Sequence, residues 1–235
     1  MAAIPFENLD VLLRRPVRLD LEGLQEKLVR SRRGGYCFEH GTLFAAALEK
    51  LGFRPVRHTA RVVLLATRET SPRTHMFLVV PLPEGRFVVD PGFGTLAPPM
   101  PVPLLDPGPT PPEPTSHWMA RDGGYWVLRA RTTEKVVDAW VTTLDADNPI
   151  DFELGNYYTS THPASGFVNR IMMRALTKDG RVSVMNRDVT VWSASELRQS
   201  QLADRAALRA LLIEHFGFDL PEVATMRVPS VPEWA

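Results

Sequence analysis

Residues 74–90 read Thr74-His75-Met76-Phe77-Leu78-Val79-Val80, Pro81-Leu82-Pro83-Glu84-Gly85 and Arg86-Phe87-Val88-Val89-Asp90. Two apolar, β-branched runs flank a connection that contains Pro and Gly, a pattern that predicts an antiparallel β-hairpin. If Val80 pairs with Gly85, His75 lies directly opposite Asp90, where opposed Cβ atoms are about 4.5–5.5 Å apart. Because an imidazole and a carboxylate reach hydrogen-bonding distance at that spacing, the hairpin predicts a His75–Asp90 pair.

The only cysteine of the chain lies upstream of this hairpin, at the start of a predicted helix. It belongs to the run Arg33-Gly34-Gly35-Tyr36-Cys37-Phe38-Glu39-His40. Phe44, Leu48 and Leu51 recur at helical spacing before Gly52, which predicts a helix over residues 38–51. A helix start favours the thiolate, which is the reactive form of cysteine. The alternative is that Cys37 is a small buried apolar side chain.

Cys37, His75 and Asp90 together supply the groups of nucleophilic catalysis. Alone, His75 is typical of a half-buried strand, and Asp90 is typical of a turn before Pro91 and Gly92. Together they offer a sulfur nucleophile, a base for its proton and a carboxylate that orients the base. A Cys–His ion pair lowers a thiol pKa by several units from about 8.5. The sequence therefore predicts a Cys-His-Asp site.

Three segments resemble the active-site motifs of the arylamine N-acetyltransferase family. They are residues 33–40, the strand that begins at Thr74, and residues 89–94. Their order matches the family, as does their separation of 38 residues from Cys37 to His75 and 15 from His75 to Asp90. Residues 4–9, residues 156–163 with Ser165 and Phe167, and residues 216–218 are also similar. The resemblance covers nearly the whole chain.

The resemblance implies a function and a set of site residues. It implies a transferase that takes an acetyl group from acetyl-CoA as a cysteine thioester and passes it to arylamines, arylhydrazines or N-hydroxyarylamines. Acetyl-CoA is then a co-substrate, and no metal is implied. The implied residues are Cys37, His75 and Asp90 for catalysis, Thr74, Gly94 and Ser165 for CoA, and Phe38 and Phe93 for the acceptor.

Two departures from the family pattern accompany the resemblance. Family members usually carry further helices before the segment of residues 4–9, so the helical domain is expected to be incomplete. The ion pair that the resemblance implies between Glu7 and Arg33 is then expected to be poorly covered. In addition, Gly41 stands where the family often has Asn, which removes a hydrogen-bonding group and lowers helix propensity near the nucleophile.

The expected fold is α+β, with a core like that of cysteine proteases. Residues 1–52 are expected to form a helical domain with the nucleophile, 53–165 a β-barrel-like domain with His75 and Asp90, and 166–235 an α/β lid. The strands follow from apolar runs between turn signals, and a helix over residues 204–215 is ended by Gly217. The proline-rich residues 97–114 predict an extended loop without helix or central strand.

Charge and cysteine content exclude several classes of protein. Among 235 residues, 27 Lys and Arg balance 27 Asp and Glu, which gives no electrostatic case for a nucleic acid or an anionic membrane as partner. One cysteine allows no internal disulfide, and neither a signal peptide nor a membrane-spanning apolar stretch is evident. A cytoplasmic location is therefore expected. The six histidines are scattered and predict no metal site.

Three other functions remain open, and the sequence determines neither the physiological amine, the acyl chain length nor the oligomeric state. A related amide synthase, which closes a macrolactam from a carrier-bound acyl chain, uses the same fold and thiol. A catalytically weak relic of the family follows if the further helices are required. A papain-like or transglutaminase-like hydrolase shares the order Cys, His, Asp, although the surrounding motifs fit the acetyltransferases better.

Overall fold

The computed structural model describes residues 3–105, 115–194 and 196–235, and the chain divides into two compact units. Unit 1 comprises Met1–Glu39 and Tyr157–Ala235, and unit 2 comprises His40–Asn156. The described α-helices are α1 Leu9–Leu12, α2 Leu21–Leu24, α3 Cys37–Lys50, α4 Pro149–Thr161, α5 Gly166–Asn169 and α6 Arg205–Leu211. π-Helical turns continue α2 over Gln25–Arg30 and α6 over Leu212–Phe216, and 3₁₀ turns occur at Gly94–Leu96, Pro221–Thr225 and Pro232–Trp234.

Unit 2 is built on a sheet of seven antiparallel strands. They are β1 Val56–Val62, β2 Arg73–Leu82, β3 Gly85–Val89, β4 Val102–Pro103, β5 His117–Asp122, β6 Tyr125–Arg131 and β7 Val136–Thr142. Their order is β4-β3-β2-β1-β7-β6-β5. Because the edge strands β4 and β5 lie close together, the sheet is nearly closed into a barrel. The predicted barrel-like sheet and α+β class are confirmed.

Strand β2 lies near the middle of this sheet and is buried on both faces from His75 to Val80. Successive side chains of a strand point to opposite faces, so His75 shares a face with Phe77 and Val79. That face belongs to the core of unit 2, which consists of Ala60, Phe77, Val79, Val88, Val102, Leu104, Met119, Leu128, Ala139 and Trp140. The sheet therefore holds His75 in an apolar interior.

Unit 1 contains a second antiparallel sheet. Its strands are β8 Met172–Thr177, β9 Gly180–Met185, β10 Asp188–Ser193 and β11 Leu197–Gln201, in the order β11-β10-β9-β8. Asp204 caps α6 by accepting from the Ala207 N–H at 2.8 Å, and Gly217 ends the helical segment with a φ of 79°. The helix predicted over residues 204–215 is thus confirmed. The division into three domains stays a prediction.

The buried face of α3 differs from the expected one. Phe44 and Leu51 are exposed, with 39% and 74% of their surface accessible. Within unit 2, the buried positions of this helix include Gly41, Thr42 and Ala45, which recur at helical spacing. A Cβ on Gly41 would lie only 3.2 Å from Cγ and Sδ of Met76 on β2. The helix lies so close to the sheet that only small side chains fit between them. The apolar residues Phe44, Leu48 and Leu51 therefore did not identify the buried face of α3.

Two further expectations meet the structure only in part. Within the proline-rich segment, Val102–Pro103 forms the edge strand β4, and residues 106–114 lie outside the described residues. Every helix in the described ranges is too short or too polar to cross a lipid bilayer.

Candidate active site

His75 and Asp90 form a buried imidazole–carboxylate pair in unit 2. His75 Nε2 and Asp90 Oδ2 are 2.8 Å apart, and their side chains are 2% and 0% exposed. A carboxylate oxygen only accepts hydrogen bonds, so Nε2 carries the proton and donates it to Asp90. The neutral imidazole then has Nδ1 as its acceptor nitrogen.

The pairing that brings them together differs from the predicted one. Leu82 pairs with Gly85 and Leu78 with Val89, so the hairpin register is shifted by two residues from the Val80–Gly85 pairing. The strands continue closer to the turn because a two-residue connection adds ladder hydrogen bonds. A shift of two keeps every side chain on its face, and His75 becomes the diagonal neighbour of Asp90. The predicted register was wrong, and the predicted contact is confirmed.

Asp90 is held by two donors besides His75. The indole Nε1–H of Trp140, on β7, donates to Asp90 Oδ2 at 3.0 Å, and the Gly92 N–H donates to Oδ1 at 3.3 Å. The second contact is an Asx turn, so Asp90 also serves as the turn residue expected from Pro91 and Gly92. Both oxygens of Asp90 are therefore engaged as hydrogen-bond acceptors.

A β-bulge lies directly beside His75. Ala60 of β1 pairs with His75, but the next residue, Arg61, pairs with Arg73. Thr74 is thus the extra residue on β2. Bulges re-aim side chains and are over-represented next to active sites. Thr74 is half-buried, and its expected contact with CoA stays a prediction.

Two other predicted residues follow Asp90 in the chain. The Phe93 ring lies 4.8 Å from the His75 ring between centroids, in an edge-on arrangement. Phe93 therefore forms an aromatic wall against the imidazole. Gly94 begins a 3₁₀ turn with a φ of 68°, a left-handed conformation. The assignments of Phe93 to the acceptor and of Gly94 to CoA stay predictions.

Cys37 is the first residue of α3 and belongs to unit 1. It is buried, with 4% of its surface exposed. The Glu39 side chain reaches back to the start of the helix, where Oε2 accepts from the Tyr36 N–H at 3.0 Å. This is the carboxylate half of a capping box. The imidazole–carboxylate pair lies in unit 2, so the expected meeting of Cys37 with His75 stays a prediction.

Phe38 and Ser165 also lie in unit 1. Phe38 is fully buried, and its ring meets that of Tyr36 edge-on, with centroids 6.1 Å apart. Ser165 is the N-cap of α5, where its hydroxyl accepts from the Phe167 N–H at 3.2 Å and donates to the Thr159 carbonyl at 2.6 Å. The Ser165 hydroxyl is thus engaged in local structure. Their roles toward acceptor and CoA stay predictions.

The implied ion pair between Glu7 and Arg33 is present and well covered. Arg33 donates from Nε and Nη2 to Glu7 Oε1 at 3.0 and 2.7 Å, and the two side chains are 9% and 0% exposed for Arg33 and Glu7. The expectation of poor cover was wrong, because the guanidinium packs against the Phe218 ring at 5.2 Å. Sequence reasoning did not single out Trp140, Lys27 or Asp10.

Metal binding finds no support in the part of the chain that the structure describes. No group of three or more His, Cys, Asp or Glu side chains there is arranged to hold an ion.

Several known proteins are similar to this chain in sequence. A family model described as N-acetyltransferase matches residues 1–225. The arylamine N-acetyltransferase of Mycobacterium tuberculosis is 40% identical over an alignment of 234 positions. The alignment covers 94% of this chain and 80% of that protein. A Salmonella typhimurium protein named arylamine N-acetyltransferase / N-hydroxyarylamine O-acetyltransferase is 34% identical, over 94% of this chain and 79% of its own length.

Solved structures agree with the sequence comparisons. The Mycobacterium marinum arylamine N-acetyltransferase in complex with CoA superimposes with a TM-score of 0.84 at 34% identity, covering 94% of this chain and 83% of that one. The Salmonella typhimurium enzyme also gives a TM-score of 0.84, at 32% identity, over 92% of this chain and 80% of that one.

Proposed function

This chain belongs to the N-acetyltransferase family and is an acyltransferase, and from this premise we propose that it transfers acetyl groups from acetyl-CoA to arylamines. The family match across residues 1–225 carries the proposal. The relatives named arylamine N-acetyltransferase and the relative solved with CoA support the donor and the acceptor class. Arylhydrazines and N-hydroxyarylamines are included as acceptors, the latter supported by the name of the Salmonella relative.

The proposed reaction has two halves, joined by a thioester on Cys37. In the first, the Cys37 thiolate attacks the acetyl carbonyl carbon, the bond to the CoA sulfur breaks, and CoA takes the proton from the His75 imidazolium. In the second, the amine nitrogen attacks the S-acetyl group, its proton passes to His75, and the Cys37 thiolate leaves. One acetyl-CoA and one amine give one amide and one CoA.

The buried pair supports the roles proposed for His75 and Asp90. Since Nε2–H is held by Asp90 at 2.8 Å, Nδ1 is the nitrogen that takes and returns the proton. Asp90 fixes the ring and stabilises the imidazolium. Acceptors of low basicity suit the second half because they are unprotonated at pH 7. The Phe93 ring against His75 supports flat aromatic acceptors.

The test is the mass of the intact protein after brief exposure to acetyl-CoA. We expect a gain of one acetyl group, which neutral hydroxylamine removes and which is lost when an aniline is added. Because Cys37 is the only cysteine, a thioester has a single possible position. The Cys37→Ala variant should show neither the adduct nor amide formation.

Two results would contradict the proposal. Amide formation at the wild-type rate in Cys37→Ala would rule out the covalent route. A clear preference for long or carrier-bound acyl donors over acetyl-CoA would rule out the donor and point to an amide synthase.

A further inference from the structure

Five charged side chains form an ionic network in unit 1, defined by Glu7, Asp10, Lys27, Arg33 and Glu39. Lys27 Nζ lies 2.7 Å from Glu39 Oε1 and 2.7 Å from Asp10 Oδ2. Arg33 reaches Glu7 at 2.7 Å and Asp10 at 3.1 Å. Each cation therefore holds two carboxylates, and Asp10 links the two halves of the network.

Glu39 connects this network to the start of α3. Its Oε1 accepts from Lys27, and its Oε2 accepts from the Tyr36 N–H one residue before Cys37. A Cβ on Gly35 would lie 2.6 Å from Glu39 Oε2, and the three atoms nearest to it all belong to the Glu39 side chain. The Glu39 carboxylate can therefore occupy this position only because Gly35 has no side chain.

The surroundings of Glu39 make this contact costly to build. Its side chain is 1% exposed, and burial raises its pKa to about 7 although the Lys27 ammonium opposes the shift. Besides Lys27, Glu39 interacts electrostatically with Glu7 and Tyr36, and neither of these is a cation. A Leu or Met would fill the same space without this cost, so bulk alone does not account for a carboxyl group here.

We propose that Glu39 is a positioning residue for the nucleophile: anchored by Lys27, it fixes the first turn of α3 and with it the Cys37 side chain. This inference rests on the proposed function, in which Cys37 is the nucleophile. The N–H groups of an ordered first turn stabilise a thiolate, so loosening that turn lowers the reactivity of the sulfur. Lys27 stays in place without Glu39, because Asp10 also holds it.

The experiment is alkylation of Cys37 by iodoacetamide as a function of pH, read by intact mass. It requires neither acetyl-CoA nor an amine, so its result is independent of whether acetyl transfer occurs. With a single cysteine, every adduct reports on Cys37. In Glu39→Leu we expect the rate at pH 7 to fall about tenfold and the midpoint of the pH profile to rise by about one unit.

The conservative variant separates positioning from bulk. Glu39→Gln retains an amide oxygen for the Tyr36 N–H, and we expect its alkylation rate to lie within about threefold of the wild type. Gly35→Ala leaves Glu39 unchanged but displaces its carboxylate, so it should lower the rate in the same direction as Glu39→Leu. The matched control is Glu49→Leu, the same change on the exposed last turn of α3, which should leave the profile unchanged.

Three outcomes overturn the inference. The first is a wild-type pH profile in a folded Glu39→Leu, with folding checked by circular dichroism. The second, decisive if Glu39→Leu does not fold, is a wild-type profile in Gly35→Ala. The third is a Glu39→Gln profile as displaced as that of Glu39→Leu, because it would show that the charge and not the hydrogen bond to Tyr36 matters.

Discussion

In unit 2, one imidazole and one carboxylate form a buried pair, whereas in unit 1 two cations and three carboxylates share an ionic network. The Asp90 carboxylate accepts hydrogen bonds from three donors, which are His75, Trp140 and the Gly92 N–H. In the ionic network, Lys27 and Arg33 each contact two carboxylates.

The difference between them is redundancy. Removing the Asp90 carboxylate takes one acceptor group away from three donors, which is a costly change in an apolar interior. Removing a member of the ionic network lets the remaining charges redistribute. A single carboxylate held by several donors suits a group that must hold one geometry through a reaction, and a network suits the anchoring of backbone.

Asp90→Asn should have the largest effect, because three donors depend on this one carboxylate. An Asn has one acceptor oxygen and one NH₂, so it leaves at least one of the three donors facing another donor. We expect kcat/KM for acetyl transfer to fall about 10³–10⁴-fold, since an Asp→Asn change beside the catalytic histidine of a serine protease has an effect of about this size. The free energy of unfolding should fall by about 2 kcal/mol, measured by urea denaturation.

The control for this change is Asp138→Asn on β7, where the carboxylate is 42% exposed and contacts Arg129 at 2.9 Å. It should keep its activity and change the free energy of unfolding by less than about 0.5 kcal/mol. If Asp90→Asn retained more than a tenth of the wild-type kcat/KM, the pair would not be essential to the reaction.

Glu39→Gln should have the next largest effect, on how stability depends on pH. Burial raises the pKa of Glu39 from 4.5 to about 7, so the folded state keeps this proton over a range in which the unfolded chain has lost it. Stability from this group is therefore greatest below pH 4.5 and is lost as the pH rises to 7. The change amounts to about 3 kcal/mol across that window.

Glu39→Gln has no ionisation at this position and should lack that decline. The difference in free energy of unfolding between wild type and variant is measured at pH 4.5 and at pH 8. Taking the difference cancels other groups in the window, such as His58, whose pKa is lowered by burial and whose contribution has the opposite slope. A difference that does not change with pH would mean that Lys27 keeps Glu39 ionised in the folded state.

How much of this arrangement is predictable from the sequence depends on the range of the interactions involved. The predicted and the observed registers of the hairpin differ by two residues, and the alternation of side chains places His75 and Asp90 on the same face in both. Their contact could therefore be predicted although the register was wrong. The start of α3 at Cys37 follows from the preceding glycines. Its buried face does not, because Phe44 gives a stronger periodic signal than the small residues that approach Met76.

Residues that act through distant partners leave no local pattern. Lys27 lies 12 residues before Glu39, on a helical segment whose other basic residue, Arg30, is exposed, and nothing in the neighbouring sequence marks Lys27 as mostly covered. Trp140 is part of an ordinary apolar strand, and its hydrogen bond spans 50 residues to Asp90. Only the register of β1 with β2 and β7 brings that indole to the carboxylate.

Trp140→Phe should have the smallest effect, because it removes one neutral donor and keeps the aromatic ring. The Trp140 ring stacks on Phe77 with centroids 4.3 Å apart, and a Phe retains most of that contact. Loss of the N–H bond to Asp90 at 3.0 Å should lower the free energy of unfolding by about 1 kcal/mol and kcat/KM about fivefold.

The matched control is Trp118→Phe, since the buried Trp118 Nε1 has no hydrogen-bond acceptor among the described residues. Removing the Trp118 N–H breaks no hydrogen bond, so this part of the change should leave the free energy of unfolding the same or raise it. Equal losses of stability and activity in the two variants would show that ring volume, and not the bond to Asp90, explains the effect of Trp140.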